Sequence, residues 1–256
     1  MTRPRLSAAR LLALAPAALA IAACSDLPLA AHDPPETGAA PSSCNAAPGA
    51  GPQFIVGYGS LMQDASRLAT SPRAGPAHPV EVHGYRRGWF ETPRTPGFGT
   101  TFLGIRSDDA GRFNAVVYEV DAVELAATDR RESSYCRSAV PAARMDLLDA
   151  GFALPAGAQA WIYVTNPRAL SAPDAVHPIV QSYVDVFVSG CLEQEERYHL
   201  AGFARECIAT TAGWSAHWVN DRLLPRRPFV HQPRARRIDE LLAAQVGPYF
   251  SRMHIE

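Results

Sequence analysis

A single glutamate follows a predicted helix in the string Thr128-Asp129-Arg130-Arg131-Glu132-Ser133-Ser134-Tyr135. A carboxylate in a partly dry cavity has a raised pKa, so it can take a proton from an attacking amine and return it to a leaving group. Upstream, an apolar run from Phe54 enters the glycine-bracketed string Gly57-Tyr58-Gly59-Ser60-Leu61. Glycine permits positive φ and close approach of a ligand, so this loop can direct several N–H groups at an anion or a developing oxyanion. Such donors and one proton-transferring carboxylate are the minimum equipment for acyl transfer at an amide.

Each of these features also has a purely structural interpretation. Glu132 can pair with Arg130 or Arg131 at the end of the helix and take no part in chemistry. The glycine loop can be a tight turn that binds no ligand. Tyr135 can line the same cavity as Glu132, or it can pack against the end of the helix.

The two strings together resemble the gamma-glutamylcyclotransferase family, which carries Tyr-Gly-Ser-(Leu or Asn) after its first strand and Arg-Glu-x-x-Tyr after a strand–helix unit. The motifs stand here as Tyr58-Gly59-Ser60-Leu61 and Arg131-Glu132-Ser133-Ser134-Tyr135. Between them, Gly84-Tyr85-Arg86-Arg87 and Ala115–Val120 are similar to family strands. The resemblance covers roughly residues 53–164 and includes the glutathione-specific (ChaC-like) and gamma-glutamylamine branches.

The resemblance implies a reaction, a site and a fold. The enzyme, a lyase or acyltransferase, would cleave a gamma-glutamyl amide by internal attack of the α-amine and release 5-oxoproline with an amine, amino acid or peptide. Glu132 would be the catalytic base, and no cofactor is implied. The substrate-binding residues would be Tyr58, Gly59, Ser60, Leu61 and Tyr135. The implied fold is α+β, a small mixed β-barrel with surrounding helices.

Short apolar stretches bounded by Gly, Pro or Asp predict five strands. They are Gln53–Tyr58, Val80–Phe90, Thr101–Arg106, Phe113–Val120 and Gln159–Val164. Asp121 and Glu124 form a capping-box pattern that predicts a helix through about Arg131. Helical spacing of apolar residues predicts three later helices, over Val180–Leu192, over Leu200–Thr210 and from about Ile238. Strands followed by helices predict one α+β domain over residues 53–256, with a helical last third from about residue 176.

Composition and charge exclude several classes of protein. The 256 residues include 24 Lys and Arg against 25 Asp and Glu, for a net charge of −1. Nucleic-acid binding needs a basic excess, so nucleic acid is not an expected partner. The eight histidines lack ligand spacing, so no metal site is expected. Ser60 lacks a Gly-x-Ser-x-Gly elbow and an evident histidine partner, which leaves a serine hydrolase as a minor alternative.

The N-terminus predicts export and a lipid anchor. Residues 1–23 combine three arginines with an apolar run from Leu11 to Ala22, which is too short for a spanning helix of ~20 residues and is typical of a signal peptide. Ile21-Ala22-Ala23-Cys24 resembles the bacterial lipobox, whose cysteine is acylated; ordinary cleavage nearby is the alternative. Residues 24–52 are rich in Pro, Ala and Gly and predict a flexible tether. Ser25 in place of Asp weakly favours the periplasmic face of the outer membrane within the bacterial cell envelope.

Two features of the last third are outside the resemblance. Trp214 and Trp218-Val219-Asn220-Asp221-Arg222 predict a structural corner that fastens the C-terminal segment to the domain. A basic stretch follows, and it can be a solvated face, a surface for an anionic membrane, or an attraction for an acidic peptide substrate. Its members are Arg222, Arg226, Arg227, Arg234, Arg236 and Arg237.

Export would bring the remaining cysteines, Cys44, Cys136, Cys191 and Cys207, into an oxidising compartment. Four cysteines allow three pairings. Cys191 with Cys207 is the favoured pair, because both lie on consecutive predicted helices. A buried free thiol at Cys191 is the alternative.

Three functions are therefore open. The first is a lipid-anchored gamma-glutamylcyclotransferase-like enzyme whose partners are a small gamma-glutamyl substrate and a membrane. The second is a catalytically silent envelope lipoprotein that binds an acidic or gamma-glutamyl ligand, although such a protein would have no need of Glu132. The third is an envelope scaffold that acts through its helical last third.

Lipidation gives the first prediction. The full-length protein should partition with membranes and carry acyl chains on Cys24, because one or two lipid chains provide the anchor. Cys24→Ser should release the protein or leave it unprocessed, as fractionation and intact-mass measurement would show. A wild-type protein recovered in soluble form with a free Ala or Ser N-terminus would contradict lipidation.

Overall fold

The computed structural model describes residues 45–93, 99–227 and 234–256, and in these ranges the chain forms two sheets and five helices. The strands are β1 (Gln53–Gly57), β2 (His78–Glu91), β3 (Phe102–Val120), β4 (Tyr135–Val140), β5 (Met145–Leu147), β6 (Gln159–Thr165), β7 (Ile179–Val180), β8 (Trp218–Asn220) and β9 (His254–Ile255). The helices are α1 (Asp64–Leu68), α2 (Ala122–Arg131), α3 (Gln181–Arg197), α4 (Phe203–Ala209) and α5 (Ala235–Phe250). Two short 3-10 turns cover Ser60–Met62 and Ala142–Arg144.

The main sheet has six strands in the order β4-β6-β1-β3-β2-β5. β1 runs parallel to β6, and the other neighbouring pairs are antiparallel. All five residues of β1 are buried, as expected for a central strand covered on both faces. The predicted α+β class with a mixed sheet is confirmed. The ladders of the described residues place β4 and β5 at the two edges of the sheet.

β3 is one strand where the sequence predicted two, Thr101–Arg106 and Phe113–Val120. The polar residues between those stretches resembled a turn, but they form a local excursion within the β2–β3 ladder. The register changes from His83↔Arg112 to Tyr85↔Ser107, and Gly84 lies between them at φ 83°. A glycine adopts this left-handed conformation at little cost, so the hairpin bends here without ending.

α2 begins where the sequence predicted. The side chain of Asp121 caps it by accepting a hydrogen bond from the backbone N–H of Glu124 at 2.9 Å. The expected reciprocal half of a capping box is not made, because the Glu124 carboxylate instead accepts the N–H of Arg73 at 2.5 Å. α2 is thereby held to the segment that follows α1.

α3 also forms where predicted, but it is buried on all sides from Gln181 to Leu192 instead of along one face. Gly190 explains this close packing, because a Cβ there would lie 2.5 Å from the backbone nitrogen of Gln63. α3 therefore lies directly against the residues that end the Ser60–Met62 turn. A disulfide between Cys191 and Cys207, the favoured pair, joins α3 to α4.

The tryptophans of the last third have a structural role, as expected. The rings of four aromatic residues contact one another in series, with centroid separations of 5.1, 5.0 and 5.7 Å along Trp89, Trp214, Trp218 and Phe250. The first and last contacts are edge to face and the middle one is tilted. Trp218 is fully buried. This aromatic cluster joins β2 to β8 and α5.

Asp221 and Arg222 complete this corner. The Asp221 carboxylate accepts the N–H and hydroxyl of Ser182 at 2.7 and 2.6 Å, and the N–H of Arg226 at 2.7 Å. Arg222 binds Asp185 and Asp239 through paired hydrogen bonds of 2.7–2.9 Å. These contacts hold the segment after β8 against the start of α3.

Most of the basic stretch is paired with acids. Besides those of Arg222, the ion pairs among the described residues include Arg226–Glu256, Arg234–Glu196, Arg236–Glu240 and Arg237–Glu240. Over the described ranges, no helix combines the length and apolar character that crossing a lipid bilayer requires.

The N-terminal predictions fall largely outside the described residues, which exclude the signal peptide, Cys24 and Cys44. Residues 45–52, the described end of the predicted tether, are bound to the sheet. Arg137 donates to Asn45 Oδ1 and to the Ala46 carbonyl at 3.0 and 2.7 Å, and the Gly49 N–H donates to Gln159 at 2.6 Å. Cys136, beside Arg137, is disulfide-bonded.

Asp221→Asn tests the corner. The substitution removes the charge from three hydrogen bonds and leaves one acceptor oxygen, so the free energy of unfolding should fall by about 2–4 kcal/mol. Urea denaturation would measure it. Asp146→Asn is the control, since Asp146 pairs with His83 through a side chain that is 70% exposed and should change stability little. An Asp221→Asn loss no larger than the control's would show that the corner does not stabilise the domain.

Candidate functional site

The glycine loop follows β1 and leads into the Ser60–Met62 turn. The described glycines with positive φ are Gly84, Gly157, Gly202 and Gly213, so positive φ is not the reason for Gly57 and Gly59. Close packing is the reason. A Cβ on Gly57 would lie 2.8 Å from Leu61 Cβ, and one on Gly59 would lie 2.9 Å from the Tyr183 hydroxyl.

Among the described residues, the N–H groups of Gly59, Ser60 and Leu61 have no backbone acceptor, whereas those of Met62 and Gln63 bond back to Gly59 and Ser60. Burial raises the pKa of the Tyr183 hydroxyl, and the Ser60 N–H beside that hydroxyl acts in the opposite direction. The loop thus presents backbone donors of the kind that hold an anion or an oxyanion.

A buried cation lies beneath this loop. Arg87 is fully buried and donates to the carbonyl oxygens of Tyr58, Asn114 and Cys207 at 3.2, 2.7 and 2.6 Å. Burial lowers the pKa of Arg87 to about 9, which leaves the guanidinium charged at neutral pH. Because the Tyr58 carbonyl and the Gly59 N–H belong to one peptide unit, a cation at the oxygen polarises the N–H toward the cavity.

Glu132 stands at the C-terminal cap of α2, where its N–H donates to the Thr128 carbonyl at 2.9 Å. Its side chain is 16% exposed, and Oε1 lies 3.2 Å from Nε of Arg131. The structural interpretation predicted this ion pair. However, Arg131 also donates to Ser60 Oγ at 2.9 Å, so the same guanidinium connects Glu132 to the loop.

Four tyrosines surround Glu132 and the loop. Tyr58 donates to the Tyr163 carbonyl at 2.5 Å, Tyr135 to the Leu103 carbonyl at 2.8 Å, and Tyr163 to Asp129 at 2.8 Å. Burial is the main cause that raises the pKa of Tyr58, Tyr135, Tyr163 and Tyr183, and the negative charge of Glu132 raises each further. All four are therefore neutral phenols at physiological pH.

These side chains enclose one narrow cavity. Its lining residues are Val56, Tyr58, Gly59, Ser60, Leu61, Leu103, Glu132, Tyr135, Tyr163 and Tyr183. The cavity volume is about 20 Å³, room for about one water molecule, so a larger ligand requires a lining side chain to move. Every residue that the sequence proposed for catalysis or substrate binding lies in this lining.

The lining residues that sequence reasoning did not propose are Val56, Leu103, Tyr163 and Tyr183. Tyr163 lies in an apolar strand, and Tyr183 lies among the apolar residues of α3, so neither can be told from the core by pattern alone. Their positions follow from β6 pairing with β1 and from α3 packing on the loop.

Other chemistries have less support in the described residues. Ser60 Oγ is bonded to Arg131, and no histidine lines the cavity, unlike a serine hydrolase site. Elsewhere, Glu81, His83 and Asp146 place ligand atoms within 4.8 Å of one another. The His83–Asp146 contact of 2.8 Å and the approach of Arg112 to Glu81 at 3.4 Å make this a surface ion-pair cluster.

Comparison with solved structures gives several similar chains. A gamma-glutamyl cyclotransferase is 12% identical, with a TM-score of 0.44 over 59% of this chain and 88% of that one. A yeast gamma-glutamyl cyclotransferase specific to glutathione is 13% identical, with a TM-score of 0.36 over 62% and 97%. An AIG2-like protein from Mus musculus is 19% identical, with a TM-score of 0.31 over 46% and 82%. No curated protein matches the chain.

A match between the amino-acid sequence and a family model shows the family of this chain. The family described as gamma-glutamyl cyclotransferase, AIG2-like, matches residues 55–182, which is half of the chain. The match contains the glycine loop, Glu132 and nearly all of the cavity lining, and it ends just before Tyr183. The chain therefore belongs to the AIG2-like gamma-glutamyl cyclotransferase family.

Proposed function

We propose that this protein is a lipid-anchored gamma-glutamylcyclotransferase that cleaves a gamma-glutamyl amide and releases 5-oxoproline. One observation carries the enzymatic part: the carboxylate of Glu132 lines the same cavity as the backbone donors of the Gly59–Leu61 loop. A proton acceptor and a set of oxyanion donors around one small space are what cyclisation of a gamma-glutamyl group requires.

The first step is attack by the substrate's own nitrogen. The α-ammonium group transfers a proton to the Glu132 carboxylate, and the freed lone pair forms a bond to the γ-carbonyl carbon. The carbonyl π electrons move onto oxygen, where the loop N–H groups stabilise the negative charge. The two reacting groups belong to one molecule, so the site mainly has to hold them in the five-membered ring geometry.

The second step breaks the original amide. The electrons on oxygen restore the carbonyl, the bond from the γ-carbon to the leaving nitrogen breaks, and Glu132 returns its proton to that nitrogen. The ring nitrogen still carries a second proton, which Glu132, again a carboxylate, takes up and passes to the released amine, so that the amine departs as an ammonium group. The products are 5-oxoproline and a free amine, amino acid or peptide. No electron acceptor and no water molecule is consumed.

Neighbouring residues support these steps without reacting. Arg131 fixes the Glu132 carboxylate relative to Ser60, while the neutral tyrosines shape an enclosed site. Binding would move the Tyr183 hydroxyl away from the Ser60 N–H and make that donor available to the substrate. A site that closes around the substrate excludes water and strengthens the hydrogen bonds to the oxyanion.

A lipid anchor on Cys24 would attach this enzyme to a membrane. The support for this anchor is the sequence of the first 24 residues, in which a basic start and a short apolar run lead to Cys24. Acylation there would hold the domain at the envelope membrane, at the periplasmic face if export proceeds as proposed.

Glu132→Gln tests the base. Glutamine keeps the shape but cannot accept the proton, so 5-oxoproline release should fall by about 10²–10⁴-fold or more while ligand binding persists. Turnover of a panel of gamma-glutamyl compounds would measure it, with Glu119→Gln as the control, because Glu119 is an exposed residue of β3 outside the cavity lining. Near wild-type release by Glu132→Gln would remove Glu132 as the base. A wild-type protein that binds these compounds but releases no 5-oxoproline would instead be a binding lipoprotein.

Gly59→Ala tests the loop, with a different expected pattern. The new Cβ would press on the Tyr183 hydroxyl, and overpacking of this kind costs ~1–3 kcal/mol, so kcat/KM should fall about 10- to 100-fold with a weaker ligand affinity. Gly247→Ala is the control, because a Cβ there meets no atom within 4 Å. Unchanged affinity in Gly59→Ala would show that the ligand does not bind against this loop.

A further inference from the structure

Arg227 brings a cation from the C-terminal segment to the cavity wall. Its guanidinium carbon lies 5.7 Å from the ring centroid of Tyr183 and 5.3 Å from that of Phe102. The two rings contact each other edge to face with centroids 5.0 Å apart. Tyr183 lines the cavity, so one aromatic ring separates Arg227 from the space beside Glu132.

The Asp221 corner fixes this position. The Arg227 N–H donates to Ser182 Oγ at 3.2 Å, and the Ser182 hydroxyl donates to Asp221 at 2.6 Å. Asp221 also accepts the N–H of the preceding residue, Arg226, at 2.7 Å. Residues 226–227 are thereby tied to the start of α3, one residue from Tyr183. The Trp218–Arg222 motif lies outside residues 55–182, which the family model matches. Through Asp221, this motif therefore places Arg227 next to Tyr183, which lines the cavity.

The charge of Arg227 acts on the cavity. Burial raises the pKa of Tyr183, and the largest charge opposing that rise is Arg227, ahead of Arg131. Arg131 is engaged inside the site, where it binds Ser60, Ser66, Thr70 and Glu132. Of these two cations, Arg131 is the one that contacts Glu132 and the glycine loop, whereas Arg227 lies against the Tyr183 ring.

The substrate has four parts, and the proposed site already accounts for three. Glu132 meets the α-amine, and the loop donors meet the α-carboxylate and the γ-carbonyl oxygen. The leaving nitrogen must stay beside Glu132 to receive its proton, so the rest of the leaving group extends toward the rim of the cavity. If that group is an amino acid, its carboxylate carbon lies two bonds beyond the nitrogen, and in a dipeptide it lies five bonds beyond. An arginine guanidinium that lies near aromatic rings keeps its charge, and the paired N–H groups of a guanidinium match the two oxygens of a carboxylate.

We propose that Arg227 is a specificity-determining residue that binds the carboxylate of the leaving group, which makes gamma-glutamyl amino acids or peptides the preferred substrates over gamma-glutamylamines. This inference rests on the proposed function of the cavity. It also gives the Trp- and Arg-rich segment a role in the reaction, because that segment positions the arginine.

The test uses the full-length protein and two substrates of nearly the same shape. Gamma-glutamylglycine ends in a charged carboxylate, and gamma-glutamylglycinamide ends in a neutral amide. Arg227→Gln should lower kcat/KM for gamma-glutamylglycine about 10- to 100-fold, mainly through KM, because a charged hydrogen bond is lost. It should change kcat/KM for the glycinamide by less than about two-fold, since that compound has no carboxylate. Arg227→Lys should restore part of the preference. Arg236→Gln is the control, because the Arg236 side chain is 94% exposed and pairs with Glu240.

The outcomes separate the two proposals. Equal losses on both substrates would make Arg227 a structural residue and overturn the inference, while 5-oxoproline release would still support the proposed function. Calorimetric titration of wild type and Arg227→Gln with both compounds gives an independent reading. Arg227-dependent preference for gamma-glutamylglycine in binding, without any 5-oxoproline release, would support the role of Arg227 and overturn the cyclotransferase. No binding preference for the charged compound in the wild-type protein would overturn the role of Arg227.

Discussion

The guanidinium of Arg87 is a buried charge, and the elements around it are arranged to satisfy its hydrogen bonds. Its donors reach the Tyr58 carbonyl at the end of β1, the Asn114 carbonyl in β3 and the Cys207 carbonyl in α4. The Thr210 and Thr211 hydroxyls accept further bonds at 3.0 and 2.9 Å. A buried charge is tolerated only when it is fully hydrogen-bonded, so the loop, the sheet and α4 must keep their relative positions.

This arrangement links the core to the chemistry. Arg87 is surrounded by carbonyl and hydroxyl oxygens, and the rings of Phe113 and Phe187 lie 5.1 and 4.8 Å from its guanidinium carbon. A neutral set of partners leaves the positive charge unneutralised, so its field reaches the Tyr58–Gly59 peptide. The Cys191–Cys207 disulfide holds the Cys207 carbonyl in place from the other side. The loop is thus fixed from behind by Arg87, and on its other side the absence of a Cβ at Gly59 makes room for the Tyr183 hydroxyl.

The residues proposed to take part in the reaction could be predicted from the sequence better than the residues that surround them. Glu132 and the Tyr58–Leu61 loop could be predicted because a glycine-bracketed turn and a lone carboxylate are local features with few alternative uses in combination. Tyr183 could not, because its spacing in α3 is that of a core residue, and only the packing of Gly190 against Gln63 brings it to the loop. β3 was divided in two for a related reason. Its polar excursion looks like a turn, and the single left-handed Gly84 that keeps the hairpin together lies on the other strand.

The last third of the chain shows how a motif outside the family match can help to shape the wall of the cavity. Asp221 accepts three hydrogen bonds, and its effect is to fix the start of α3 and the backbone of Arg226 together. All three of these donors are backbone N–H or hydroxyl groups, so Asp221 adds to the contacts of Trp218 and Arg222 that hold this segment to the domain. These contacts fix the positions of Tyr183, which lines the cavity, and of Arg227, which lies against the Tyr183 ring. Under the proposed function, the glycine loop and Glu132 would act on the amide bond, and this added segment would surround the leaving group.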